Sequence, residues 1–215
     1  MTDEAMDPEI ELLRAWRAGD GKAGDRLLVR YHKIIWRTVA TKVPESEIED
    51  LVQRVIVALI ERRDRIESDL KFRSYALAIT RNVILGHFRD RYRKPVDNVG
   101  VADTSVRDMG AGASSIVLAR EQDRLLLEAL RSLSLDDQLV LELYYWEGMT
   151  GPELSAVFDC LEPTVRGRLH RAKRRLESEL VELSKDHREL AETMTNLDSW
   201  AAGVRDALEP HLRGR

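Results

Sequence analysis

Cysteine occurs once in the 215 residues, at Cys160. A single thiol cannot close an intrachain disulfide, so the fold is expected to rest on burial alone and the compartment to be reducing. The five histidines are scattered, and neither CxxC nor HExxH spacing occurs, so no metal-ligand pattern is present. The longest apolar run, Val55 to Ile60, falls far short of the roughly 20 residues a membrane-spanning helix needs. The first residues, MTDEAMDPEIE, are acidic where a signal peptide is basic and then apolar. There is no paired Ser/His/Asp set and no Gly-rich phosphate loop. These absences predict a cytoplasmic chain without cofactor, catalytic centre or membrane insertion.

Strand signals are equally scarce, because period-2 alternation of β-branched residues extends over no useful length. What is there is helical spacing, and the fold class expected is all-α. Ile10 to Ala18 and Ala23 to Val43 read as paired antiparallel helices, the second presenting Leu27, Leu28, Tyr31, Ile34, Ile35 and Val39 on one face and stopping before Pro44. Ser46 is the expected cap of a third helix reaching about Arg65, with Leu51, Val55, Ile56, Leu59 and Ile60 on its core face. After the polar connector ESDLK, Phe72 to Tyr92 reads as a fourth, with Tyr75, Ala76, Ile79, Val83 and Phe88 inward.

From Pro95 to Ser115 periodicity disappears into PVDNVGVADTSVRDMGAGASS, the composition of a flexible linker. Helical spacing resumes over 116–132, 136–147, 151–158 and from Glu162 on. The chain is therefore expected to form two small helical domains joined by a tether.

The formal net charge is −4, so a polyanion-binding role must be regional. It is regional: RNVILGHFRDRYRK (81–94) and RGRLHRAKRR (166–175) are strongly basic, whereas ESEIED (45–50) is acidic. Around the second basic run, Gly148 is a natural helix stop, Thr150 a natural cap, and Asp159-Cys160-Leu161 a three-residue turn. That is helix-turn-helix spacing. Leu154, Val157, Cys160, Val165 and Leu169 form the set two crossing helices must bury, with Cys160 a small hydrophobe of that core. Arg166, His170, Lys173 and Arg174 fall on the opposite face, where they either solvate the helix or reach base edges and phosphates in a major groove.

LSLDDQLVLELYYWEGMTGPELSAVFDCLEPTVRGRLHRAKRRL, 133–176, resembles region 4 of bacterial sigma factors of the extracytoplasmic function (ECF) type, within the sigma-70 family. EIEDLVQRVIVALIERRDRI resembles region 2.2, and KFRSYALAITRNVILGHFRDRYRK regions 2.3 to 2.4. The likeness runs in family order over about Glu9 to Leu180.

The resemblance implies a division into region 2 (9–94), a linker (95–115) and region 4 (116–180), and the heptad spacing past Leu180 adds a helical extension (181–215). It implies promoter-specific initiation with core RNA polymerase, whose β′ coiled coil and β flap, together with promoter DNA, would be the partners, and an anti-sigma factor a further candidate. Glu47, Glu49, Asp50, Leu51 and Gln53 match the docking motif, from which Arg54 departs by carrying positive charge where an acidic residue is usual. The loop 67–71, with Lys71, matches the segment that captures a flipped base of the −10 element. Arg81 and Asn82 match further −10 contacts, and Arg89, Arg91, Arg93 and Lys94 would supply phosphate contacts. Thr164, Arg166, Gly167, His170, Arg171 and Lys173 match the −35 readers. Asp159 and Leu161 depart from the usual turn glycine and capping serine, with Pro163 presetting the first helical dihedral.

Beyond Leu180 the likeness ends. Leu176, Leu180, Leu183, His187, Leu190, Met194, Leu197, Ala201, Val204 and Leu208 nevertheless step by fours and threes as a heptad seam, which packs on its own chain or on another. The competing reading is a stand-alone helix-turn-helix regulator dimerising through that seam.

Overall fold

The computed structural model describes residues 8–66, 72–91, 101–106 and 121–183. Among them all regular structure is helical, as the spacing predicts. The seam residues past Leu183, the loop 67–71 and the stretch 92–100 lie outside the described residues.

Helices α1 (Pro8–Arg17) and α2 (Gly21–Ala40) form an antiparallel pair. The Asp20 carboxylate fixes the entry to α2 by accepting from the backbone N–H groups of Lys22 (2.9 Å) and Ala23 (3.3 Å). The pair closes tightly because Gly24 faces the Trp16 indole, where a Cβ would stand 2.3 Å from Nε1. Trp16 in turn meets Phe72 edge-on at 6.0 Å, and Tyr31 meets the same ring at 5.2 Å.

Helix α3 (Glu45–Glu61) starts one residue earlier than its expected cap. Ser46 lies inside the first turn and caps nothing; the extended Pro44 precedes the helix and fixes its start by its ring. Leu51, Val55 and Leu59 are fully buried, whereas Ile60, expected in the core, is 39% exposed. The buried stripe of α3 is thus narrower than its apolar composition. A 3-10 turn over Arg63–Arg65 then brings Ile66 into the core. Helix α4 (Phe72–Arg91) buries Phe72, Ala76, Ile79, Ile84 and Phe88 against α2 and α3.

In the second half, α5 (Glu121–Ser132), α6 (Leu135–Tyr145), α7 (Gly151–Phe158) and α8 (Glu162–Leu183) succeed one another. Ser134 caps α6 by accepting from the Asp137 N–H at 3.3 Å. Part of the stretch expected as a linker is ordered here. Leu135 N–H donates to the Thr104 carbonyl (3.1 Å), Val106 N–H donates to the Leu133 carbonyl (3.4 Å), and the Val106 side chain is fully buried. Gly148, with φ +61°, turns the chain out of α6 as its sequence position predicts.

The two halves do not stand apart: α7 lies along α4, and one continuous apolar core runs from Leu13 to Leu180. Each fully buried Leu, Ile or Phe in it contributes about 1.5–3 kcal/mol relative to exposure. Helix α6 sits at the centre, with every residue from Leu135 to Leu143 buried, including Asp136, Asp137, Gln138 and Glu142. Four buried polar side chains on one short helix need partners, and basic side chains of α4, α8 and the turn after α2 supply most of them.

Candidate nucleic-acid interface

The helix-turn-helix is built as its sequence predicts. Thr150 donates to the Glu153 carboxylate through its backbone N–H (2.9 Å) and its hydroxyl (2.7 Å), fixing the start of α7. Asp159 occupies the left-handed region (φ 49°, ψ 52°), a conformation a short polar side chain tolerates where glycine is usual. The Ser155 hydroxyl donates to the Cys160 carbonyl across the turn. Leu154, Val157 and Val165 are buried between the two helices; Cys160 and Leu169 are only partly covered. Leu161 is 76% exposed, and its carbonyl accepts from the Thr164 and Val165 N–H groups in place of a side-chain cap.

On α8 the outward residues are Thr164, Arg166, His170, Arg171 and Arg174, while Gly167 and Lys173 are half-buried. Arg166 bonds Glu162 one turn before it, an exposed pair that costs little to break. The other basic residues divide. Arg168 turns back to Asp136 (3.0 Å), and Arg175, still 60% exposed, bonds Asp137, so both have a partner on α6. Gly167 has no packing reason to be glycine: the nearest atom to an added Cβ is the far end of Arg171, at 3.3 Å.

Along α4, Asn82 and Arg89 are exposed seven residues apart, on one face two turns from each other. Arg81 is half-buried and committed to the protein. Its Nε and Nη2 each donate at 2.7 Å to the Asp136 carboxylate in a two-point fork, and its guanidinium stacks 5.4 Å above the Phe158 ring. Arg168 lies 5.8 Å from the same ring, so Phe158 and Asp136 are both shared between two guanidinium groups. Lys71, Arg93 and Lys94 lie outside the described residues.

The acidic start of α3 also divides. Glu49, Asp50 and Gln53 are exposed, but Leu51 is fully buried and its side chain belongs to the bundle core, not to an outer surface. Glu47 turns inward to α4, where it accepts from Arg91 and where His87 Nε2 stands 3.0 Å away without aligning for a hydrogen bond. Burial lowers the His87 pKa below its ordinary 6.5, as do Arg54 and Arg91, against the opposing pull of Glu47. Arg54 faces Asp50 at 3.8 Å, one turn away. The outward face of α3 then continues through Val57 and Ile60, 46% and 39% exposed, giving a helix that begins acidic and ends apolar. By sequence alone Ile60 reads as core and Val57 has no role; their spacing from Gln53 by four and seven residues is the signal that places them on its face.

A set of cross-half ion pairs has no counterpart in the sequence reading. Arg37 donates to Glu147 through Nε (3.2 Å) and Nη2 (2.8 Å), and Arg73 donates to the Glu147 carbonyl. Lys42, fully buried, donates to Glu142, whose other oxygen accepts from Gln138 at 2.7 Å. Burial pulls the Lys42 ammonium below its usual range, and Glu142 opposes that shift.

Among the described residues no group of side chains could hold a metal ion, and no helix is long and apolar enough to cross a membrane.

The family model described as Sigma-70 region 2 matches residues 27–94, and that described as Sigma-70, region 4 matches 123–176; together they take in more than half of the chain. The ECF RNA polymerase sigma-E factor of Escherichia coli strain K12 is 24% identical over 85% of this chain and 96% of its own. That of Haemophilus influenzae is 22% identical over 85% and 97%. Two solved structures share the fold. CnrH, solved in complex with the cytosolic domain of CnrY, has a TM-score of 0.60 at 24% identity, over 83% of this chain and 100% of that one. The sigma factor RpoE of Bartonella quintana, solved with the anti-sigma factor NepR, has a TM-score of 0.57 at 22% identity, over 75% and 98%.

Proposed function

Because the chain belongs to the sigma-70 family, with its likeness to the ECF group, and so directs promoter-specific initiation by core RNA polymerase, we propose which of its residues carry each step. The family is not an enzyme class, and the stand-alone regulator reading is not favoured.

Polymerase docking belongs to the outward face of α3: Glu49, Asp50 and Gln53, extended by Val57 and Ile60. Carboxylates at a helix start pair with basic side chains on a partner helix, while the apolar end supplies buried area. Leu51 supports that face from beneath, and Glu47 orients it through Arg91. Arg54 partly neutralises Asp50 and tunes this surface toward a partner carrying its own carboxylate. On this reading the β′ coiled coil receives α3, and the β flap receives region 4.

Promoter opening belongs to the loop 67–71 with Lys71, and to Arg81, Asn82, Arg89, Arg91 and Arg93. The cations of α4, with Arg93 beyond it in sequence, hold the strand by its phosphates while the loop takes an unstacked base. Reading of the −35 element belongs to Thr164, Arg166, Gly167, His170, Arg171 and Lys173. The single observation that carries this assignment is Gly167: a glycine in mid-helix costs about 0.5–1 kcal/mol relative to alanine, and nothing among the described residues requires it. A close approach by DNA backbone or base edge gives that cost a purpose. We further propose the domain division 9–94, 95–115, 116–180 and 181–215, a cytoplasmic location, and an anti-sigma factor among the partners.

The test is core polymerase binding by the full chain. Asp50→Lys with Glu49→Lys should weaken the complex by tenfold or more, whereas Arg166→Ala should leave it intact. Equal binding by the α3 variant and the parent protein rejects the docking assignment.

A further inference from the structure

We infer that Glu162 is a positioning residue for −35 recognition: its carboxylate holds the Arg166 guanidinium in the orientation that reads a guanine, so Glu162 sets sequence preference without touching a base. The inference rests on the assignment of α8 to the −35 element. Glu162 opens α8, and Pro163 after it fixes a dihedral of the first turn, so the backbone carrying the carboxylate has little freedom. One turn on, Arg166 Nη2 donates to Glu162 Oε1. The two ends of this pair are held unequally. The Glu162 side chain is 36% exposed, and its carboxylate lies against the start of α7, where a Cβ added at Gly151 would stand 2.6 Å from Oε1 and 3.1 Å from Cδ. The Arg166 side chain is 73% exposed. The carboxylate is therefore the anchored end, and the guanidinium is the end presented to a partner.

An unrestrained arginine samples many rotamers, and ordering it on a base edge costs entropy that binding must offset. The bond to Glu162 restricts that sampling before DNA arrives, and it engages one end of a guanidinium that carries five N–H donors. Nη1 and the second hydrogen of Nη2 remain as two parallel donors, the fork that matches O6 and N7 on the major-groove edge of guanine. A phosphate could take the same fork, and there Glu162 acts against binding, because a carboxylate one turn away repels the strand's charge. Glu162 thus biases Arg166 toward a base and away from the backbone, lowering sequence-independent affinity while sharpening the sequence-dependent part. As an exposed ion pair it contributes little to the stability of the fold. A first-turn carboxylate also favours a helix start through the dipole. Aspartate serves the dipole equally but is one methylene short of this reach, which separates the two roles.

The experiment uses the full chain with core RNA polymerase on one promoter fragment that the parent holoenzyme transcribes, and on its single-base-pair substitutions through the −35 element. Run-off transcript yield is the readout. The position Arg166 reads is located as the one where Arg166→Ala removes the preference, and there the parent should favour guanine by about tenfold or more. Glu162→Gln and Glu162→Asp should each reduce that preference to about threefold or less and leave the other positions unchanged. Gly151→Ala, whose added methyl displaces the carboxylate without touching Arg166, should reduce it as well. In the Arg166→Ala background, Glu162→Gln should change nothing further. Binding of the free full chain to a mixed-sequence duplex should tighten for Glu162→Gln, which removes the repelling charge, and stay as it is for Glu162→Asp. Equal guanine preference in the parent and Glu162→Gln overturns the inference, as does preference for another base at the Arg166 position. Full retention of the preference by Glu162→Asp overturns it too, since charge alone would then suffice. A uniform loss at every position with a lowered melting temperature assigns Glu162 to the helix start and overturns it likewise. A parent with no base preference anywhere in the element rejects the −35 assignment of α8 itself, and the inference with it.

Discussion

Arg81 meets Asp136 through two hydrogen bonds of 2.7 Å across 55 residues of chain, and joins the halves at the point where promoter opening is assigned. Lysine keeps the charge but cannot make a two-point fork. Arg81→Lys is therefore expected to lose about 1–2 kcal/mol of cohesion between the halves, since a charged hydrogen bond contributes about 1.5–3 kcal/mol and the ammonium keeps one. Thermal unfolding should fall by about 2–8 °C for a chain of this size. An unchanged melting temperature would mean that the fork is solvent-exchanged and carries no cohesion.

Gly167 separates a DNA-reading helix from a merely basic one. Replacing it by alanine should raise the stability of the free protein by about 0.5–1 kcal/mol, because the backbone entropy cost disappears and only the mobile end of Arg171 is nearby. The same variant should bind a −35 duplex more weakly. Stability and binding are predicted to move in opposite directions, and urea denaturation with duplex titration reads both. Gain in both, or loss in both, removes Gly167 from the reading surface.

Arg171 and Arg175 are expected to differ in kind. Arg171 faces outward on α8, and its truncation to alanine should cost about 1–3 kcal/mol at one −35 position and relax preference there. Arg175 leans on Asp137, so Arg175→Ala should weaken binding evenly across sequences. Duplexes varied one base pair at a time distinguish the two; identical sequence-independent losses contradict the assignment.

His87 gives the fold a pH dependence whose sign is fixed by its lowered pKa. The folded chain binds the imidazole proton less readily than the unfolded chain does. The stability His87 contributes is therefore present above its ordinary 6.5 and is lost as pH falls from there through the lower folded value. His87→Gln should flatten the slope of stability against pH below about 6.5. A slope as steep in the variant as in the parent would assign the dependence to other groups.

Much of the fold is legible in the sequence because local rules suffice. The turn 159–161, the stop at Gly148 and the burial of Leu154, Val157 and Val165 follow from capping chemistry and helical spacing. What escapes is the commitment of particular charges. Arg81, Arg168 and Arg175 look alike in a basic run, and only the arrival of α6 from elsewhere in the chain shows that they are partnered. Helix α6 itself carries a signal: LDDQLVLELYY has apolar residues around its whole circumference, the mark of a helix buried on all sides. Its Asp136, Gln138 and Glu142 then have to be buried with partners. Ser46 shows the converse, a good capping residue left two positions inside the cap because Pro44 sets the helix start. The extent of exposure of Ile60 depends on how broadly α4 covers α3, which no single-helix pattern encodes.

The central claim is that this chain confers promoter selection on core RNA polymerase through two separated DNA-reading halves. The most direct measurement is transcription in vitro by core polymerase reconstituted with the full-length protein on fragmented genomic DNA, with the 5′ ends of the transcripts mapped. Initiation at discrete sites sharing two short elements about 25 base pairs apart, abolished by Glu49→Lys with Asp50→Lys, is the predicted result. Transcripts with no common start sites, or none beyond those made by core polymerase alone, would contradict it.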